Sequence, residues 1–172
     1  SKNVLSEGND LAVVVDTEEE LDGLSAGEIA AAQAAADDRG LTGKFLITMV
    51  NFSGHPLLSS LKNRALRRSV LENELKRGVR GNEHDNRAVL VAMAKLRAQR
   101  AKLLGFKTHA HAVTADETAG SPENVHNMLR RIAPAAVRNA RREAAMLQAE
   151  IDKEQASKGE PSFQLQAWDW DF

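Results

Sequence analysis

The stretch Gly81–Phe106, GNEHDNRAVLVAMAKLRAQRAKLLGF, constrains this chain more than any other. Val89, Met93, Leu96 and Leu103 recur at gaps of four, three and seven, the repeat of one helix face. Leu90, Ala94, Ala101 and Leu104 form a second stripe beside it. So wide an apolar face predicts a helix packed against more than one neighbour. Asp85 or Asn86 can cap its first turn by accepting a backbone N–H. Gly105 can take the left-handed conformation that ends it. Any fold for this chain must house that helix.

Composition points the same way. The chain has 172 residues, of which 42% are hydrophobic and 4% aromatic, with no Tyr. Strands draw on aromatic and β-branched residues, so an alanine-rich chain with few aromatics favours helices. The expectation is a mainly α domain fragment with short strands near residues 11–15, 44–50 and 163–168. Net charge is −1. A whole-domain attraction to nucleic acid or to a membrane surface has no support in that balance. No cysteine is present, which removes disulfides and cysteine–zinc sites and is compatible with a reducing compartment. No apolar run reaches the length of a membrane span, and Ser1–Asp10 is polar, unlike a signal peptide.

Along the chain, Leu11–Val15 reads as a strand. Asp16 and Thr17, followed by Glu18, Glu19 and Glu20, read as a capped and acidic helix start. Ser25, with Glu28 three residues on, opens an alanine-rich helix that Gly40 stops. Gly43–Asn51 is the clearest strand, nearly continuous in apolar residues as a strand buried on both faces would be. Parallel pairing of the two strands suits the helical crossover, and antiparallel pairing is open too. Asn51–Pro56 is a turn. Leu57–Lys76 is helical, in one or two pieces, with Arg64, Arg67 and Arg68 as a basic face. Thr108–Ala115 makes a helical turn or two. Ser121-Pro122-Glu123 is a helix start, with a cap, a proline at the first position and an acid in the first turn. The helix reaches toward Lys158, with a kink or break expected near Ile132–Ala133 because Pro134 lies inside it. Phe163–Trp168 alternates like a strand.

Reactive chemistry is sparse. His109 and His111 are two apart and diverge on a helix, whereas a helical zinc pair needs a spacing of four with a glutamate between. His55, His84 and His126 stand alone. Glu83-His84-Asp85 could hold a cation or simply cap the next helix. No nucleophile elbow, P-loop or dinucleotide fingerprint occurs. Five arginines fall within thirteen residues, at Arg130, Arg131, Arg138, Arg141 and Arg142. They suit phosphates or peptide carboxylates. The plainer reading is a solvated face with Glu143 and other acids as partners. The Met and Leu stripes read as core. The tail Trp168-Asp169-Trp170-Asp171-Phe172 is unusually apolar for a chain end, which points to a piece of a longer protein.

Several stretches, in order, resemble the thimet oligopeptidase family of zinc metallopeptidases, and within it the peptidyl-dipeptidase (dipeptidyl carboxypeptidase) branch. They are Gly81–Arg87 and Leu96–Phe106, then Lys44–Asn51 with Leu57–Arg68. Ser121-Pro122-Glu123 before a long helix with Pro134-Ala135, and finally Trp168-Asp169-Trp170, complete the set. The last is similar to a Pro-Trp-Asp-Trp segment, with Ala167 in place of the proline. The signature positions are Asn82, Asp85, Asn86, Arg87, Leu103, Gly105, Trp168, Asp169 and Trp170. The resemblance implies a mostly helical enzyme with a deep channel, one zinc ion and cleavage of short peptides by removal of C-terminal dipeptides. Family catalysis uses His-Glu-x-x-His and a downstream glutamate, and neither is present. No catalytic or metal residue is therefore assigned, and zinc is expected in the parent enzyme, not on this chain. The expectation is one helical domain, a scaffold and channel wall, with residues 163–172 opening a segment that continues in the parent. Its partners would be peptide substrates, the missing parts of the same protein and, through uncovered surface, a second copy. A cytoplasmic location, or a periplasmic one, goes with that reading. The rival is a free-standing helical interaction module using the arginine-rich face.

Overall fold

The computed structural model describes residues 2–49 and 55–172. It contains helices α1 (Lys2–Asp10), α2 (Ala26–Asp37), α3 (Arg64–Lys76), α4 (Arg87–Leu103), α5 (His109–Thr114) and α6 (Pro122–Lys158). Two short strands, β1 (Val13–Val15) and β2 (Phe45–Ile47), complete it with 3-10 turns at Glu18–Leu21, Pro56–Ser59 and Ala167–Asp169. The chain is mainly α. It divides into two compact units, one of residues 1–86 and 165–172 and the other of residues 87–164.

The first unit holds the core. Val13, Val14 and Val15 pair antiparallel with Ile47, Leu46 and Phe45, which settles the pairing the sequence left open. All of β2 is buried, as its continuous apolar run predicts. α2 begins where its capping box predicts: Glu28 N–H donates to Ser25 Oγ at 3.3 Å, and Ser25 N–H donates to Glu28 Oε2 at 2.8 Å. α2 packs on β2, and α3 packs on β1. Val15, Leu21, Ile47, Leu58, Leu61 and Val70 are almost wholly buried between them. Each such side chain contributes about 1.5–3 kcal/mol relative to exposure. The Leu57–Lys76 region folds as two pieces, a 3-10 turn and α3, the latter capped by Asn63 Oδ1 accepting from Leu66 N–H at 3.1 Å.

One close approach ties the 3-10 turn after β1 to the segment before α3. Lys62 N–H donates to the Asp22 carbonyl at 2.9 Å. Gly23, with φ +98°, lies so close that a Cβ there would sit 2.0 Å from the Ser60 carbonyl oxygen. Only glycine fits that backbone and that space.

In the second unit α4 and α6 each contact α5. α6 starts with Ser121 Oγ accepting from Asn124 N–H at 3.2 Å and Pro122 in its first turn. It ends at Gly159, whose φ is +68°. Of the kink or break expected near Ile132–Ala133, the break does not occur: Pro122–Lys158 is one helix with Pro134 inside it. Proline removes one N–H donor, and the alanine- and arginine-rich flanks are strong enough helix formers to carry the helix past it.

Two further expectations need correction, and one helix was not foreseen. Residues 163–168 are no strand. Gln148 Nε2 donates to the Phe163 carbonyl at 2.8 Å, a side-chain bond and not a strand ladder, and the chain then enters the 3-10 turn. α1 had no sequence forecast. α4 keeps its predicted stripes, but only Ala101 of that helix is buried. Val89, Leu90, Leu96 and Leu103 are exposed, so of the two stripes only Ala101 is covered. Val50 and the turn residues Asn51–Gly54 lie outside the described residues.

Candidate functional site

Two buried carboxylates organise the charged residues of the first unit. The first is Glu7. Its position on α1 turns it inward, where its side chain is fully buried. Arg80 Nε donates to its Oε2 at 2.9 Å and Arg80 Nη2 to its Oε1 at 2.7 Å. Asn82 Nδ2 donates to Oε1 at 2.5 Å, and Gly78 N–H to Oε2 at 3.2 Å. These bonds, led by Arg80, outweigh burial and lower its pKa from 4.5 to about 2. Arg80 also reaches Asp10 at 3.0 Å.

That ion cluster explains most of the signature loop. Asn82 belongs to it directly. Asp85 Oδ2 accepts from Gly81 N–H at 2.6 Å, and Asn86 N–H donates to the Gly78 carbonyl at 2.8 Å. Asn86 Oδ1 accepts from Asn3 Nδ2 at 3.0 Å, a second tie to α1. Of Glu83-His84-Asp85, the Asp85 side chain thus braces a turn, while Glu83 and His84 face each other at 3.7 Å. Arg87 is the first residue of α4.

A pH dependence follows from Glu7. A carboxylate whose folded pKa is lowered contributes stability that is complete above its unfolded pKa and lost as pH falls through its folded pKa. For Glu7 the window runs from about 4.5 down to about 2. Urea midpoints at about pH 5 and about pH 3 should therefore differ more for the unmodified chain than for Glu7→Gln. Equal drops in the two proteins would remove Glu7 as the cause.

The second carboxylate is Asp169. Arg64 Nε and Nη2 donate to it at 3.0 and 2.9 Å, and Arg67 Nη2 donates at 3.0 Å. Gln166 N–H donates to Oδ2 at 3.0 Å. Burial works against its charge, but the two guanidinium groups and this N–H together win, so the carboxyl stays below its usual range. Arg67 is itself buried and also donates to the carbonyls of Leu61 and Trp168 at 2.8 and 3.0 Å. The Trp168 ring lies 5.6 Å from the Arg64 guanidinium and 5.1 Å from that of Arg68, and Phe172 covers Arg67 at 4.0 Å. Arg64 and Arg67 are therefore not the open basic face that the sequence suggested. Their spacing places them on the side of α3 that meets the tail, and Asp169 takes their charge.

The other signature positions play lesser roles. Gly105 ends α4 with φ +78°. Leu103 is 87% exposed, and Trp170 is largely uncovered. Sequence reasoning missed Glu7, since one acid among 24 in a polar segment carries no local signal. Its partner Arg80, between two glycines, was equally unmarked.

Neither cluster is built for acid–base work, because both carboxylates are held ionised and their oxygens are occupied. His55 is satisfied: its Nδ1 accepts from Leu57 N–H at 3.3 Å, so Nε2 donates to the Thr48 carbonyl at 3.0 Å. Among the described residues no group of three His, Cys, Asp or Glu side chains could hold a metal ion. The residues present do not fit a zinc, and no step through one can be derived from them. No described helix is long and apolar enough to cross a membrane.

The fold and its ion clusters thus define a mainly helical chain braced by buried charge. The model of peptidase family M3 matches residues 57–172, and the chain belongs to that family. It is 36% identical, over its whole length, to a dipeptidyl carboxypeptidase of Escherichia coli, of which it covers 24%. It is 34% identical over 93% of its length to a dipeptidyl carboxypeptidase of Salmonella typhimurium, covering 23% of that protein. It is 31% identical over 90% of its length to an oligopeptidase A of Haemophilus influenzae, again covering 23%. The chain therefore spans about a quarter of the length of these curated relatives.

Proposed function

We propose that this chain is an internal part of a zinc-dependent peptidyl-dipeptidase that hydrolyses oligopeptides and releases C-terminal dipeptides. Within that enzyme it serves as scaffold and channel wall. The observation that carries the reading is the full-length match to relatives named dipeptidyl carboxypeptidase, of which it covers about a quarter. The chemistry of the chain agrees: its two buried carboxylates are saturated by arginine and amide donors, so they brace the fold and leave hydrolysis to other segments. In this reading the zinc ligands lie in those segments, and residues 163–172 lead into one of them. The uncovered stripes of α4 then rest against other parts of the same enzyme, and exposed on their own they favour association of one copy with another.

Metal analysis and a peptidase assay on the purified 172-residue chain test the reading directly. The expected result is neither stoichiometric zinc nor dipeptide release. Both together would sink the scaffold assignment. A His-Glu-x-x-His in the reading frame beyond Phe172 is the matching genetic observation, and its absence would argue against the peptidase parent.

A further inference from the structure

One charged surface is left unexplained by the scaffold reading, on the middle of α6. There Arg130, Ala133, Pro134, Val137, Arg138 and Arg141 line a shallow groove. The sequence offered Glu143 as a neutralising partner for the nearby arginines. Instead, Glu143 Oε1 accepts from Asn139 Nδ2 at 2.8 Å, and Asn139 Oδ1 in turn accepts from Arg142 Nη2 at 2.6 Å. Arg130, Arg138 and Arg141 have no hydrogen-bond or ion-pair partner among the described residues. Their guanidinium groups are exposed in a chain whose net charge is −1, so this is a local excess of positive charge.

We propose that this face of α6 is a docking surface for an acidic, amphipathic peptide segment of another protein. Two observations select that occupant. First, Arg130 and Arg141 are eleven residues apart, which is roughly 16 Å along a helix. No single carboxylate spans that distance, so the ligand carries several acidic groups about a turn apart. Second, the floor between the arginines is Ala133, Pro134 and Val137, and Val137 is 47% exposed. An apolar side chain of the ligand covers it, while the guanidinium forks take the flanking carboxylates. A nucleic acid suits the groove less well. No aromatic ring lines it to stack on a base, and the overall charge gives no long-range pull on a polyanion. The proposal does not rest on the peptidase reading, because it uses only the groove's own residues.

The test is fluorescence anisotropy with the full 172-residue chain. The probe is a labelled helical peptide of about four turns, with a leucine stripe flanked by glutamates. The comparators are a scrambled peptide of the same composition and a single-stranded RNA of equal charge. Expected is salt-sensitive binding of the patterned peptide, stronger than the scrambled one. The triple variant Arg130→Ala, Arg138→Ala, Arg141→Ala should weaken it about tenfold or more. Arg97→Ala on α4 should leave it unchanged, and circular dichroism should show the helices intact, since all four side chains are exposed. Arg138→Lys with Arg141→Lys should recover only part of the affinity lost in the triple variant, because lysine keeps the charge but not the fork. Equal binding of the scrambled peptide or of RNA would overturn the proposal. So would no peptide binding at low salt, or a dimer of this chain that depends on the same three arginines and excludes the peptide.

Discussion

Replacing Asp169 with alanine is expected to destabilise the chain by about 4 kcal/mol, because it strands a buried cation. The Arg67 side chain is 4% exposed and that of Asp169 is 3% exposed, so water cannot take over the lost contact. Arg64 would lose its bonds to the carboxylate as well. At this chain length the melting point should fall by roughly 10 °C. Loss of one buried partner costs far more than loss of the pair, since the surviving charge has no solvent. Asp169→Leu combined with Arg67→Met should therefore regain at least about 1 kcal/mol over Asp169→Ala. Recovery will be incomplete, because Arg67 also satisfies the Leu61 and Trp168 carbonyls. Thermal melts of the three proteins check this. If the single and the double variant melt together, Asp169 is not acting through Arg67.

The second large effect comes from a residue with no side chain. Gly23→Ala should cost about 3 kcal/mol, from backbone strain at positive φ together with forced separation of packed backbone. The added methyl would lie 2.0 Å from the Ser60 carbonyl oxygen, a backbone atom with no rotamer in which to escape. The Lys62–Asp22 hydrogen bond across the same junction should break with it. Gly27→Ala makes the natural control. Gly27 lies on α2 with nothing within 4 Å of its Cβ position, so alanine there should be neutral or stabilising by up to about 1 kcal/mol. Chemical denaturation of both variants reads the difference. Similar midpoints would show that the junction relaxes around the methyl.

Local chemistry was legible in the sequence wherever it decided the outcome. Ser25 with Glu28, and Ser121 with Pro122, marked the starts of α2 and α6, because a cap is made within one turn. β2 was legible because an unbroken apolar run has few other uses. Residues whose partners lie far along the chain were not. α1 carries Gly8, Asn3 and Asn9, all modest or poor helix formers, and it is anchored through Glu7 to Arg80, 73 positions away. The spacing of Arg64 and Arg67 showed one face of α3 but not the carboxylate that meets it. α4 teaches the same lesson in reverse: periodicity shows that a face is apolar and says nothing of what covers it. The family resemblance pointed to Asn82 and Asp169, and only the folded structure gives them work, as members of the two ion clusters.

The first unit is discontinuous, and that has a temporal consequence. Arg64 and Asp169 are separated by 105 positions, with the whole of residues 87–164 between them. On the ribosome, α1 to α3 emerge well before the tail that neutralises Arg64 and Arg67. Until then Arg67 must stay solvated, so α3 cannot settle fully against the tail's site. Loop closure over such a span adds little entropy at equilibrium but delays the contact, as distant pairings do. Final consolidation of the first unit should thus wait until Asp169 has emerged from the ribosome. Nascent chains stalled before Asp169 has emerged should stay protease-sensitive around α3, and those stalled after its emergence should not.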